Sequence, residues 1–170
     1  MLTVGLALAV LALVLLALAR QGLRRAGLPD GRVLYEDVGM RRTLSEPLYD
    51  PALGLAGRPD YLVEQGRALI PVEVKSGRTP TAPYENHRWQ ALAYCLLVEQ
   101  VLHRPAPYAL IRYPHATYQV AFTPEAKTAL LDLLAEMRRA EMNQRFDRSH
   151  QDPTRCRGCG FRDLCDQRLE

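Results

Sequence analysis

Two acidic residues and one lysine are grouped around a short predicted turn. Asp60 opens an apolar run, and the next apolar run ends with Glu73 and Lys75. Residues 64–67 between these runs predict a hairpin turn, because Gly66 is free to adopt a positive φ. Side chains alternate along a strand, so we expect Glu73 and Lys75 on one face of a sheet, close to Asp60.

This grouping suits the binding of a hard cation. Two carboxylates, Asp60 and Glu73, with the carbonyl oxygen of Val74, are the oxygen ligands that Mg²⁺ or Mn²⁺ prefers. A nearby ammonium, Lys75, could stabilise charge that develops on a phosphate or orient the attacking water. The alternative is a surface salt bridge between Glu73 and Lys75. The apolar run around them favours the metal site, because an unpaired charge is costly there.

A helix is predicted from about residue 83 or 84 to Leu102, and it carries two polar side chains on one face. Gln90 and Tyr94 are four residues apart and therefore lie side by side on the helix. They could face the predicted metal site, or Gln90 could stand at the edge of an ordinary packing face. His87, three residues before Gln90, is interpreted as a surface histidine.

The C-terminal tail contains a second possible metal site. Cys156 and Cys159 have the spacing of a metal-binding knuckle, and Cys165 follows six residues later. A tetrahedral site needs a fourth ligand, which could be Cys95, His150, a residue of another chain, or none. Zinc and an iron–sulfur cluster both remain open from the residues alone. Cys95 is better explained as a small buried core residue.

These motifs resemble those of the PD-(D/E)XK nucleases. Asp60 with Glu73-Val74-Lys75 resembles the signature of that superfamily, and Gln90 to Tyr94 resembles the QxxxY motif of its RecB-like branch. The cysteine tail is similar to the iron–sulfur end of CRISPR-associated RecB-like exonucleases. The resemblance covers roughly residues 30 to 168.

The resemblance implies a restriction-endonuclease-like α/β fold, a mixed β-sheet flanked by helices, that hydrolyses DNA with Mg²⁺ or Mn²⁺. It assigns Asp60, Glu73 and Val74 to the metal, and it places Lys75, Gln90 and Tyr94 among the catalytic residues. Cys156, Cys159 and Cys165 would hold a [4Fe–4S] cluster. The implied substrate is DNA that is single-stranded or has free ends.

One element of the RecB-like pattern is missing from this sequence. That branch carries a histidine before the Asp, and here no histidine precedes His87. Glu36 or Asp37 could replace it as a metal ligand, although either residue is also explained as a solvated surface carboxylate.

The N-terminal segment predicts a membrane anchor. Residues 2–19 carry no charge, and eighteen residues at about 1.5 Å per residue just span a hydrocarbon core of about 30 Å. Arg20, Arg24 and Arg25 follow, which places the remaining chain in the cytoplasm. A cleaved signal peptide and a buried core helix are the alternatives. A protein facing the reducing cytoplasm is not expected to form disulfides.

The bulk composition is that of a globular protein. The chain has 170 residues, which is long enough for one domain with a core. Of these residues, 48% are hydrophobic and 24% are charged, a composition unlike that of a disordered chain. The net charge of +3 permits nucleic-acid binding without indicating it. We predict an anchor over 1–20, a basic linker over 21–31, a nuclease-like domain over 32–147, and a cysteine-rich tail over 148–170.

The order of predicted elements supports the α/β class. Strands are predicted over residues 108–113 and 117–122, and a second long helix begins after Thr123 as N-cap, with Leu130, Leu131, Leu134 and Met137 on its inner face. Residues 41–56 are expected to be irregular. Two other functions remain open: an inactive DNA-binding module of the same fold, and a zinc-stapled membrane adaptor that binds a protein.

Overall fold

A computed structural model describes residues 46–170 in full, the backbone of the strand Arg32–Glu36, and the helical residues 10–12, 14 and 15. The chain divides into two compact units, Met1–Leu130 and Leu131–Glu170. The candidate active site lies in the first unit and the cysteine tail in the second.

The predicted N-terminal anchor falls largely outside the described part of the chain. Only a few residues of the segment 2–19 are described, and the linker 21–31 is outside the described residues altogether. Within the described residues, no helix has the length and apolar character needed to cross a membrane. The anchor and the division into four segments therefore stay predictions.

The first unit is built on a mixed five-stranded sheet, which confirms the predicted α/β class. Its strands are β1 (Arg32–Glu36), β4 (Tyr61–Gln65), β5 (Ala68–Val74), β6 (Tyr108–Arg112) and β7 (Thr117–Ala121), in the order β1-β4-β5-β6-β7. The β5 and β6 strands are parallel, and the other neighbouring pairs are antiparallel. Two further strands, β2 (Leu48–Asp50) and β3 (Leu55–Gly57), form a separate antiparallel pair.

The β4–β5 hairpin forms as the sequence predicts. Gly66 lies in its turn with a φ of 59°, a conformation that glycine adopts without steric cost. Val63, Ile70 and Val72 are buried in the centre of the sheet. Pro71 has no N–H to donate, and the pairing of β5 with β6 begins one residue later, at Val72.

The helix α1 (Glu85–Leu102) connects the two parallel strands and packs on β5, β6 and the β2–β3 pair. Its buried side chains include Leu92, Leu96 and Leu97, which form much of the core. Tyr84 is its N-cap residue, and His103 ends it in the left-handed conformation. The predicted boundaries of this helix are therefore confirmed.

The sequence predicted that residues 41–56 are irregular, and this prediction was wrong for the second half of that segment. The short strands β2 and β3 lie there, joined by a turn in which the buried Asp50 accepts hydrogen bonds from the backbone N–H groups of Ala52 and Leu53. This Asx-type turn replaces the loop that Pro47 and Pro51 indicate in the sequence.

The helix α2 (Pro124–Met142) begins as predicted, since the hydroxyl of Thr123 accepts a hydrogen bond from the Ala126 N–H at 3.2 Å. Its predicted inner face is only partly correct. Leu130 is buried, but Leu131 is 37% exposed and Met137 is 59% exposed. The second unit also contains the short helix α3 (Pro153–Arg157) and a 3₁₀ turn, Arg162–Leu164.

Candidate active site

The site forms where the two parallel strands end. The Lys75 N–H donates to the carbonyl of Arg112 at 2.7 Å, so the chain stays paired with its neighbour just beyond β5. Glu73 lies opposite Ile111 in the same register. In a β–α–β unit, such an edge is where loops and helix ends can present functional side chains.

Asp60 lies next to this edge because its side chain binds the backbone of β5. Its Oδ2 atom accepts the N–H of Val74 at 2.6 Å. Asp60 directly precedes β4, whereas the sequence indicated that it lies within the strand. The charge of Asp60 also acts on the carboxyl of Glu73. The predicted convergence of the two carboxylates is therefore present.

The ammonium of Lys75 is held between two side chains. Its Nζ atom donates to Glu73 Oε1 at 2.8 Å and to Gln90 Oε1 at 2.8 Å. The pairing confirms that Glu73 and Lys75 share a face. Glu73 is only 8% exposed, so this ion pair is not the exposed surface salt bridge considered as the alternative.

Gln90 connects the lysine to the rest of the site. Its Nε2 atom donates to Glu73 Oε1 at 3.0 Å and to the Tyr94 hydroxyl at 2.7 Å. Lysine has only donors and a carboxylate only acceptors, so this amide orientation is the one that satisfies both neighbours. The structure brings together Asp60 and the four side chains of Glu73, Lys75, Gln90 and Tyr94.

Burial raises the pKa of the Glu73 carboxyl. Desolvation is the largest influence on this pKa and raises it. The hydrogen bond from Lys75 lowers the pKa, and the negative charge of Asp60 raises it further. Burial likewise raises the pKa of Tyr94, so its hydroxyl stays protonated and can donate to Glu73. A buried carboxylate beside a second carboxylate gains most from a nearby cation.

The oxygen ligands fit a divalent cation. Asp60, Glu73 and the Val74 carbonyl would supply three oxygens, and Mg²⁺ commonly retains several waters and needs only one or two protein carboxylates. Within the described residues, no group of three or more His, Cys, Asp or Glu side chains could hold a metal ion. Among the side chains that the structure describes, Asp60 and Glu73 are the two carboxylates at this site.

The profile of the PD-(D/E)XK nuclease superfamily matches residues 7–166, nearly the whole chain. This chain belongs to the PD-(D/E)XK nuclease superfamily. Members of this superfamily are typically nucleases that hydrolyse phosphodiester bonds in nucleic acid with a divalent metal ion. The mixed sheet with its helices is consistent with the restriction-endonuclease-like fold.

Similarity to individual proteins is more distant. The crystal structure of SSO0001 superposes with a TM-score of 0.47 at 20% sequence identity. That match covers 68% of this chain and 52% of the other, so the chain spans about half the length of that protein. No curated protein matches the chain at a significant level.

Gly57, which does not belong to any of the predicted motifs, shapes this site. A Cβ atom added at Gly57 would lie 2.8 Å from Cε1 of Tyr94 and 2.9 Å from Cδ1 of Leu97. Both contacts are closer than real Cβ atoms allow, so β3 approaches α1 only because residue 57 lacks a side chain. The glycine stands three residues before Asp60, which is the one sequence signal that could have pointed to it.

His87 is not a simple surface histidine. It is half-buried, and its Nδ1 atom lies 2.7 Å from the hydroxyl of Tyr113. Burial lowers its pKa, and the positive charge of Lys75 lowers it further, which places His87 within electrostatic range of the site. Its spacing of three from Gln90 was the available signal, because residues three apart on a helix are neighbours.

The possible substitutes for the missing upstream histidine are only partly placed. Glu36 pairs in register with Tyr61, the residue after Asp60, but its side chain is outside the described part of the structure. Asp37 also lies outside the described residues. Their roles as metal ligands stay predictions.

The cysteine tail does not form a cluster-binding site in this structure. Cys156, Cys159 and Cys165 are free thiols that, with His150, line one cavity of about 300 Å³ in the second unit. They are not brought together as a metal-ligand set within the described residues. Cys95 is fully buried in α1, as expected for a core residue, and burial raises the pKa of its thiol.

Proposed function

We propose that this chain is a divalent-metal-dependent deoxyribonuclease that hydrolyses phosphodiester bonds at the site formed by Asp60, Glu73 and Lys75. The observation that supports this most directly is the position of the Lys75 ammonium, hydrogen-bonded to both Glu73 and Gln90 at 2.8 Å. A lysine that is held next to a metal ligand places its positive charge beside a phosphate bound to that metal ion, where the charge is needed.

Asp60, Glu73 and the carbonyl of Val74 would hold Mg²⁺ or Mn²⁺ in this proposal. When bound, such an ion neutralises charge on the scissile phosphate and lowers the pKa of an attacking water. Val74 links the ligands, because its N–H fixes the Asp60 carboxylate while its C=O would face the ion. Binding a cation would also offset the cost of burying the charged form of Glu73.

The Lys75 side chain would act on the phosphate directly. An ammonium has three N–H donors, one more than its contacts with Glu73 and Gln90 require. The remaining donor would reach a non-bridging phosphate oxygen or the attacking water. Gln90 and Tyr94 would be positioning residues, since they hold Glu73 and Lys75 rather than the substrate.

The finer assignments rest on the family resemblance. We infer a RecB-like exonuclease that acts on DNA that is single-stranded or has free ends. The RecB-like assignment depends on the QxxxY motif, and the contact of Gln90 with Lys75 supports a role for that motif in the site. The resemblance to CRISPR-associated exonucleases implies a role in spacer acquisition, and DNA repair and foreign-DNA processing are equally open alternatives. Residues 2–19 would anchor the protein in the cell membrane with the nuclease facing the cytoplasm.

The tail would hold a [4Fe–4S] cluster, or zinc, only if Cys156, Cys159, Cys165 and a fourth ligand move together. His150 supports this idea, because it lines the same cavity as the three thiols. Elemental analysis and visible absorption of anaerobically purified protein test it, beside a Cys159→Ser variant. Metal-free protein would rule out the cluster without affecting the proposed nuclease site.

Cleavage by the full-length protein tests the nuclease proposal. Linear and circular DNA, single- and double-stranded, are incubated with Mn²⁺ or Mg²⁺ and with a chelator in parallel. We expect metal-dependent cleavage of linear DNA only, and a loss of about 10²- to 10³-fold in Lys75→Ala. Lys127→Ala is the matched control, because Lys127 pairs with Glu99 at 2.7 Å outside the site.

The possible outcomes separate the competing functions. Cleavage that Lys75→Ala leaves intact would show that the active site is elsewhere. Cleavage of circular DNA would replace the exonuclease assignment with an endonuclease. Metal-dependent DNA binding without cleavage would identify an inactive binding module of the same fold. Absence of both would direct attention to protein partners of the cysteine tail.

A further inference from the structure

Three aromatic side chains form a group beside the candidate active site; we call Tyr84, His87 and Tyr113 the aromatic cluster. The rings of Tyr84 and His87 meet edge to face, with centroids 5.4 Å apart and planes at 86°. Tyr84 and Tyr113 are also edge to face, at 6.3 Å and 75°. These are favourable aromatic geometries, and His87 and Tyr113 are joined by a hydrogen bond as well.

The cluster is continuous with the site through two elements. On α1, His87 lies one turn before Gln90, whose amide oxygen binds Lys75. On the sheet, Tyr113 directly follows Arg112, whose carbonyl accepts the Lys75 N–H. A nucleotide whose phosphate reached Lys75 would therefore have the aromatic cluster next to it.

The cluster is packed against the protein at Tyr113 and open to solvent at Tyr84. Tyr113 is buried and also packs edge to face against Tyr118, whose hydroxyl donates to the Pro80 carbonyl. Tyr84 is 47% exposed, and its ring contacts His87 and Tyr113. A large aromatic side chain that is exposed and supported by other rings provides a surface for another planar ring.

We propose that the aromatic cluster binds a nucleobase of single-stranded DNA by stacking on Tyr84, adjacent to the phosphate that contacts Lys75. This inference rests on the proposed nuclease function and adds how an unpaired strand is recognised. Stacking on an aromatic ring is available to every base, so the contact favours single strands over duplexes without sequence preference. The exposed Arg78 and Arg88, close in sequence to Lys75 and His87, supply positive charge for the neighbouring backbone.

The test measures DNA binding separately from cleavage. A fluorescent oligothymidylate, and the same strand with abasic sites, are titrated by anisotropy against full-length Lys75→Ala protein with Mg²⁺, with and without Tyr84→Ala. We expect Tyr84→Ala to raise the Kd for the intact strand about five- to a hundredfold and to leave the Kd for the abasic strand unchanged. Tyr84→Phe, which keeps the ring, should restore most of the affinity.

Tyr49→Ala is the matched control for removing an exposed tyrosine. Tyr49 is 56% exposed on the β2–β3 pair, and its neighbours Leu48 and Asp50 are buried on the opposite face. We expect it to change neither Kd. Circular dichroism of each variant checks the fold, and the half-exposed position of Tyr84 makes a folded Tyr84→Ala protein the expected result.

The outcomes distinguish this inference from the proposed function. If the wild type cleaves DNA but Tyr84→Ala binds the intact and abasic strands as before, the stacking surface is wrong and the nuclease stands. An equal loss for both strands would mean that Tyr84 acts through the backbone or the fold, which also overturns the inference. If the wild type neither binds nor cleaves DNA, both proposals fail together.

Discussion

The Nζ atom of Lys75 lies 2.8 Å from the Oε1 atom of Gln90, and this contact connects the central sheet to α1. The amide of Gln90 is fixed by its other contacts, because its Nε2 atom donates to Glu73 and Tyr94. The lysine is therefore held by a side chain whose orientation is set independently. Such preorganisation keeps a charged group in place before the substrate arrives.

Replacing Gln90 tests this positioning role. In Gln90→Ala, Lys75 keeps its contact with Glu73 but loses the second one, so its ammonium becomes mobile. We expect kcat for DNA cleavage to fall about ten- to a hundredfold with little change in KM. Gln100→Ala, on an exposed position of the same helix, is the control and should behave as the wild type. A change confined to KM would assign Gln90 to substrate binding instead.

Adding one methyl group at Gly57 should disturb the site through Tyr94, against which Gly57 packs. In Gly57→Ala the new Cβ would meet the rings and methyls of Tyr94 and Leu97 at under 3 Å, so α1 or Tyr94 must move. We expect the free energy of unfolding to drop by about 1–3 kcal/mol, measured by urea denaturation, with cleavage reduced as well. Gly77→Ala is the control, because nothing lies within 4 Å of its added Cβ. Equal stability of the two variants would contradict the close packing.

The central part of the fold could be predicted because local signals agreed with the tertiary structure. Gly66 separates two β-branched runs, and α1 carries a continuous apolar run from Ala91 to Val98. The period of two along β5 was enough to place Glu73 and Lys75 together. The period of four on α1 was enough to place Gln90 beside Tyr94.

The remaining features depend on contacts between distant residues, which no local pattern encodes. The strands β2 and β3 have only three residues each, too few to show an alternation. The hydrogen bond between His87 and Tyr113 joins residues 26 positions apart. The apolar period of α2 identifies Leu131 and Met137 as one face, but it cannot say whether another element covers that face.

Removing the hydroxyl of Tyr94 tests the last contact of the network. Tyr94→Phe keeps the ring packed beneath Gly57 but takes away the acceptor of the Gln90 N–H. We expect a loss of about 0.5–1.5 kcal/mol in the free energy of unfolding and a decrease in kcat that is smaller than in Gln90→Ala. Tyr108→Phe, which removes a more exposed hydrogen bond to Gln65, is the control. A loss of kcat as large as in Lys75→Ala would instead give the hydroxyl a direct catalytic role.

The depressed pKa of His87 predicts how stability depends on pH. Burial and the Lys75 charge lower this pKa below its ordinary value of 6.5, so the unfolded chain binds the proton more readily than the folded chain. The stability contribution is present above the unfolded pKa and is lost as the pH falls below it, towards the folded pKa. The rings of Tyr84 and Tyr113 contact the imidazole, and Lys75 is the charged group that lowers its pKa.

We therefore expect wild-type protein to lose stability more steeply than His87→Gln between about pH 7 and about pH 5, because glutamine cannot accept the proton. Urea denaturation at several pH values, without metal, measures the two slopes. His115→Gln, on the exposed turn between β6 and β7, is the matched control and should keep the wild-type slope. Identical slopes for the wild type and His87→Gln would show that the imidazole takes up its proton equally in the folded and unfolded chain, contrary to its burial beside Lys75.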